Sequence, residues 1–116
     1  MANEIRVSSY GDGLNLYVTI RTPAGLIWDV GDSALEAVGT WNDARADECD
    51  IALTGKDGEY YTADIPAALP NGVYIINLYE QAGANPDTDD NWLGGEELNW
   101  PTDLRVVLAQ HHYMSA

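Results

Sequence analysis

A chain of 116 residues with 46% hydrophobic content has room for one well-filled core and none for a second domain. Nineteen Asp plus Glu against five Lys plus Arg give a formal net charge of −14, which excludes nucleic acid and anionic membrane surfaces as partners: both need clustered cations, and Arg6, Arg21, Arg45, Lys56 and Arg105 stand singly. No apolar window approaches the ~20 residues of a membrane-spanning helix. The opening MANEIRVSSYGDG lacks the basic and apolar regions of a secretory signal, so synthesis in the cytoplasm is expected.

Ile5 and Val7 offer an N-terminal strand. Leu14, Leu16, Val18 and Ile20 then alternate with polar residues, Thr22-Pro23-Ala24-Gly25 turns the chain, and Leu26, Trp28 and Val30 resume the alternation, with Trp28 expected inside. The segment from Gly31 to Asp47 reads as a loop-rich crossover, with one helical turn at most over Ala34 to Val38. Cys49 to Thr54 follows as a strand, in which Cys49 alternates with Ile51 and Leu53 as a small buried residue with an inert thiol. As the lone cysteine it can form no intramolecular disulfide.

The most specific stretch is DGEYYTADIPAALPNGVYIINLYE, Asp57 to Glu80. It alternates, breaks at Pro66, Pro70 and Asn71-Gly72, and alternates again from Tyr74 through Ile76 and Leu78, which is two strands joined by a tight corner. Tyr74 sits where a sandwich places the tyrosine whose hydroxyl returns to the backbone upstream of the corner. An acidic loop, Ala82 to Asn91, precedes a last strand ending at Trp100. Turn signals at this spacing, with no long amphipathic helix, predict an all-β sandwich of about seven to eight strands over residues 1–101. Residues 102–116 form a C-terminal tail, either an arm or an added strand.

Leu16-Tyr17-Val18-Thr19-Ile20-Arg21, Trp28, Trp41, Asp50-Ile51-Ala52-Leu53-Thr54, Gly58-Glu59-Tyr60-Tyr61-Thr62-Ala63-Asp64-Ile65-Pro66 and Gly72-Val73-Tyr74 together resemble small immunoglobulin-like modules of tailed-bacteriophage virion proteins and uncharacterised bacterial proteins. The likeness spans approximately Leu14 to Trp100 and departs from antibody-type domains in lacking the paired cysteines. It implies a non-enzymatic structural or adhesive module of a capsid, tail or fibre, located in the virion, with self-association or other virion proteins as partners.

Chemistry is sparse. The serines stand in no nucleophile-elbow context, and His111 and His112 are adjacent in the tail. Glu96-Glu97 and Asp89-Asp90 are neighbours on alternating faces, so neither pair converges on one substrate. No enzymatic activity and no cofactor are expected. Asn85, Asp87, Asp89, Asp90 and Asn91 gather oxygen donors suited to Ca²⁺, but the spacing is not that of an EF-hand, so Asp87, Asp89 and Asp90 are weak metal candidates only. Trp41, Trp92 and Trp100 flank loops or strand ends and are candidate sugar contacts, which makes a carbohydrate- or receptor-binding module the alternative function.

The stronger clue is a strand with two apolar faces. Tyr74, Ile76 and Leu78 line one; Val73, Ile75 and Tyr79 line the other, with Tyr17 on an adjacent outward set. Either the same chain covers the second face or a neighbouring subunit does. Tyr17, Val73, Ile75 and Tyr79, with Leu104, Val106 and Leu108 of the tail, are the candidate oligomer interface.

Overall fold

The computed structural model describes residues 4–8, 15–56, 60–103 and 105–108. Leu104, His111 and His112 lie outside the described residues. Within them are ten strands and one helix: β1 (Glu4–Ser8), β2 (Leu16–Arg21), β3 (Leu26–Asp29), β4 (Ala34–Ala37), α1 (Asp43–Cys49), β5 (Ile51–Ala52), β6 (Thr54–Lys56), β7 (Tyr60–Asp64), β8 (Gly72–Glu80), β9 (Asn91–Trp100) and β10 (Arg105–Leu108). They form an all-β sandwich. One sheet runs β10-β1-β7-β6; the other runs β4-β3-β2-β8-β9, with β5 also paired to β2.

The longer sheet carries β2 and β8 at its centre, and β1 and β7 are the central pair of the shorter one. β10 lies at the edge beside β1 and runs parallel to it, with Val106 opposite Ile5 and Leu108 opposite Val7. The core between the sheets combines Ile5 and Val7 with Leu16, Val18, Ile20, Trp28, Tyr74, Ile76, Leu78 and Leu98. Val106 and Leu108 belong to this same core, at 5% and 3% exposure. This corrects their assignment to a subunit interface: residues 105–108 of the tail are an added strand at home, because Val106 and Leu108 complete the core face that β1 presents.

Local chemistry sets the connections. The β2–β3 turn is closed by Gly25 N–H to Thr22 O and by Leu26 N–H to Thr22 Oγ1, with Gly25 at φ 101°, where a Cβ would be strained. Trp28 is buried as expected, but Leu26, at the start of the short strand, and Val30, just past its end, are 37% and 44% exposed. The segment Gly31 to Asp47 is more regular than its composition implies. Ala34–Ala37 is a strand, because all four of its residues pair with β3. Asn42 caps α1 by accepting from Arg45 N–H at 2.9 Å, and Asp43 lies in the first turn, where a carboxylate suits the helix dipole.

Cys49 therefore ends a helix rather than starting a strand, although it is buried as anticipated. After it, Ile51 and Ala52 pair with β2, Leu53 N–H donates to Leu16 O, and Thr54–Lys56 leaves for β7 in the opposite sheet. The expected single strand is split by this change of sheet, which, with β4 and β10, brings the count above the seven to eight expected.

The corner before β8 is pinned twice. Tyr74 hydroxyl donates to Pro70 O at 2.5 Å, the tyrosine-corner geometry. Trp100, at 8% exposure, donates its indole N–H to Leu69 O at 3.0 Å. Trp100 is thus a core residue and not a sugar contact; a ring at the end of β9 faces the same corner as Tyr74 and is used to close it. Asn99 and Asp103 then exchange bonds, Asp103 N–H to Asn99 O and Asn99 N–H to Asp103 Oδ2, turning the chain toward β10.

Tyr74→Phe should keep the fold while lowering stability by about 1 kcal/mol, because the ring still packs and the Pro70 carbonyl loses its donor. Denaturant unfolding should show a lower midpoint at unchanged slope.

Candidate functional site

The outer face of the β2-β8-β9 sheet is divided by what lies on it. Strand alternation puts Tyr17, Thr19 and Arg21 of β2, Val73, Ile75, Asn77 and Tyr79 of β8, and Trp92, Gly95, Glu97 and Asn99 of β9 on this side, in register across the strands. Ile27, opposite Arg21, faces the same way. On the β3 side α1 packs over the sheet, contributing buried Ala46 and Cys49, and Ile27, Thr19 and Tyr17 are all within 2% of full burial. Thr19 Oγ1 is enclosed there with no hydrogen-bond partner among the described residues. Toward β8 and β9 the cover ends. Val73, Ile75 and Trp92 are 40%, 39% and 57% exposed.

Tyr17 does not extend that exposed strip, contrary to its place in the candidate interface. Its ring stacks on Tyr79 at 5.3 Å between centroids, and its hydroxyl donates to Asp90 Oδ2 at 2.6 Å. Burial first, and the Asp90 bond second, push its ionisation well above the ordinary tyrosine value, so it stays a neutral donor. Tyr79, the other ring of that stack, is half-buried. Trp92 rises opposite Tyr79 after a register shift in β9 and donates its indole N–H to Asn77 Oδ1 at 3.1 Å. Gly95 makes room for this: a Cβ there would stand 2.8 Å from the same Asn77 oxygen. At the other end, Arg21 places its guanidinium 5.1 Å from the centre of the Trp41 ring. Trp92 and Trp41 remain accessible in whole or part, unlike Trp100.

The acidic loop between β8 and β9 is organised by its own carboxylates. Asp90 accepts from Tyr17 hydroxyl, from Asp87 N–H at 2.9 Å and from Ala82 N–H at 3.0 Å, while Asp87 Oδ1 accepts from Asp89 N–H at 2.7 Å. Thr88 N–H donates to Asp43 at the start of α1, tying loop to helix. Burial works to raise the Asp90 pKa, but these donors outweigh it and hold the carboxyl below its usual range. Asp90 and one oxygen of Asp87 therefore serve as internal acceptors. An open cleft of about 450 Å³ between the loop and α1 is lined by Asp43, Asp47 and Asp87 with Asn85 and Pro86. A second, more apolar hollow of about 330 Å³ lies against Trp28, Ile51 and Pro66.

A different carboxylate group escaped the sequence. Asp29, Asp32 and Glu36 bring oxygens within 4.8 Å of one another, and Arg45 supplies a cation there. Its guanidinium bonds Asp29 at 2.8 Å, Glu48 at 2.9 Å and Glu36 at 3.3 Å, and it also donates to the carbonyls of Val38 and Ala37. Five acceptors around one guanidinium use the planar fork that a lysine lacks. Bonding to Glu48, more than any other partner, keeps Arg45 protonated beyond its ordinary range. Glu36 is pushed up, first by a hydrogen bond with Asp32, then by burial, against the pull of Arg45. The nearby Cys49 thiol is pushed up to about 11 by burial, which leaves it a poor nucleophile.

No protein-family model, curated protein or solved structure matches this chain.

Two outcomes follow from these networks. Arg45→Met should destabilise by about 3 kcal/mol, because Asp29, at 4% exposure, would be left buried without its cation; thermal melting of variant and parent would measure it. Tyr17→Phe should cost about 1–2 kcal/mol at pH 7, where Asp90 is ionised. A carboxyl with a depressed folded pKa stabilises above its unfolded value, near 3.9, and loses that contribution as pH falls through the folded value. The difference between parent and variant should accordingly shrink below about pH 4, as read by denaturant unfolding at several pH values.

Proposed function

We propose that this chain is a non-catalytic structural module of a virion, such as a capsid, tail or fibre accessory protein, or of a similar surface assembly, and that it joins its neighbours through the outer face of β8 and β9. The virion setting rests on the resemblance to small immunoglobulin-like modules. The assembly face rests on one observation: Val73 and Ile75 stand about 40% exposed on β8, while the adjoining part of the same sheet surface is closed by α1. Aliphatic side chains at the middle of a rigid sheet are suited to a subunit contact. Because β10 is used inside its own sandwich, association through this face needs no exchange of arms between copies.

The rigidity of the surroundings supports the same reading. The Arg45 network, the Tyr74 corner and the braced acidic loop order the elements around the face, so little conformational freedom is lost on docking. The net charge of −14 keeps free copies soluble before assembly.

Carbohydrate binding is the second reading, favoured by Trp92, which is 57% exposed and has its N–H turned to Asn77. An exposed indole face is a stacking surface for a sugar ring. A glycan array with the parent chain and a Trp92→Ala variant separates the readings: retained glycans lost with the ring would favour recognition over assembly.

Ile75→Glu should abolish association while leaving the circular dichroism spectrum and melting temperature close to the parent's, since at 39% exposure the carboxylate is solvated in the free chain and desolvated only in the contact. Unchanged assembly in sedimentation, or unfolding of a chain that was monomeric already, would count against this face.

A further inference from the structure

The three strands of the open face carry two charged outward side chains, and they flank Ile75. Arg21 on β2 is opposite Ile75, and Glu97 on β9 is opposite Ile75 from the other side. All other outward positions on these strands are aromatic, aliphatic, glycine, threonine or asparagine. In a chain with nineteen acids and five bases, one base and one acid placed symmetrically about the most central exposed aliphatic form a self-complementary pattern.

We infer that the occupant of this face is a second copy of the chain, docked about a two-fold axis parallel to β8 at Ile75, so that Arg21 of each copy pairs with Glu97 of the other. This deepens the assembly reading above and rests on it. Adjacent strands lie about 4.8 Å apart, so Arg21 and Glu97 stand about that far to either side of Ile75. Rotation about an axis along the strand exchanges the two sides and turns the face over, bringing Ile75 onto Ile75 and each cation onto an anion. An in-plane axis across the strands would instead set Arg21 over Arg21 and Glu97 over Glu97. The charges thus select one of the two arrangements, and the contact is isologous.

Facing sheets pack about 10 Å apart, a gap that the two Ile75 side chains share and that an arginine spans. Trp41 under the Arg21 guanidinium limits its freedom before docking, so less entropy is lost when the pair forms. Repulsion between two chains of charge −14 opposes the encounter at long range. At 0.15 M salt that repulsion is screened beyond about 8 Å, whereas pairs enclosed in the contact are screened less.

Sedimentation equilibrium at about 0.15 M salt, over a concentration series, tests the arrangement with the intact chain. The parent should form a dimer. Arg21→Glu and Glu97→Arg should each weaken it about tenfold or more, since each brings like charges together twice. Mixing the two single variants should yield a heterodimer tighter than either homodimer, and the double variant R21E/E97R should recover the parent's association. Circular dichroism of every variant would establish folding.

A parent that stays monomeric throughout overturns the second-copy proposal while leaving the face open to a different protein. Loss of dimer in Ile75→Glu without recovery in the mixture or the double variant upholds the face and overturns this axis. A dimer insensitive to Ile75→Glu and to all charge variants overturns both.

Discussion

Asp29 is buried on the outer surface of β3 and must have a cation; Arg45, reaching down from α1, is that cation. The rest of the exposed architecture depends on this pair. By bonding Asp29, Glu36, Glu48 and two carbonyls at once, Arg45 holds the crossover from β4 through α1 against the sheet. That placement sets α1 against β3, where Ile27 is fully buried, while Val73 and Ile75 on β8 stay exposed. An ion pair of this kind contributes little net stability compared with apolar packing, yet breaking it strands a buried charge. Its role is to decide where the covering layer sits.

The two ends of β8 are fixed by different means. At its start, Tyr74 and Trp100 both bond carbonyls of the preceding corner, at Pro70 and Leu69. At its end, Tyr79 is stacked on Tyr17, whose hydroxyl anchors Asp90 and through it the acidic loop. The strand bearing the open face is consequently held at both ends by aromatic residues with satisfied polar groups, a use to which tyrosine and tryptophan are suited. The chain contains no phenylalanine, and at Tyr17, Tyr74 and Trp100 a phenyl ring would pack but leave an acceptor unmet.

The negative charge is not uniform in its effects. In the loop, carboxylates accept backbone N–H groups and shape the chain. Around Arg45 they surround a cation. Others act singly, Asp103 accepting from Asn99 N–H and Glu4 pairing with Arg6. On the open face the bias disappears, leaving Arg21 and Glu97 in balance.

Alternation along Leu16 to Arg21 and Gly72 to Glu80, the proline-bracketed corner and the tyrosine after it were legible in the sequence, because strand period and turn chemistry are local properties. So was the burial of Trp28 and Cys49, though Cys49 lies on a helix. Alternation also assigned Tyr17 and Ile75 to one side of a sheet, but it says nothing of what covers that side. The same pattern therefore described a buried Tyr17 and an exposed Ile75 equally well. β4 and α1 were hidden by short length and mixed composition, and tertiary pairing with β3 and burial of Ala46 and Cys49 overrode weak local preference. Trp100 was misplaced for a related reason: its position at a strand end suggested exposure, while the corner across the sandwich needed its N–H. The sequence by itself determined which residues share a face and where the chain turns. Only the tertiary structure decided which faces are covered, that β10 completes its own sheet and that Arg21 and Glu97 bracket Ile75, because those depend on contacts between segments far apart in the chain.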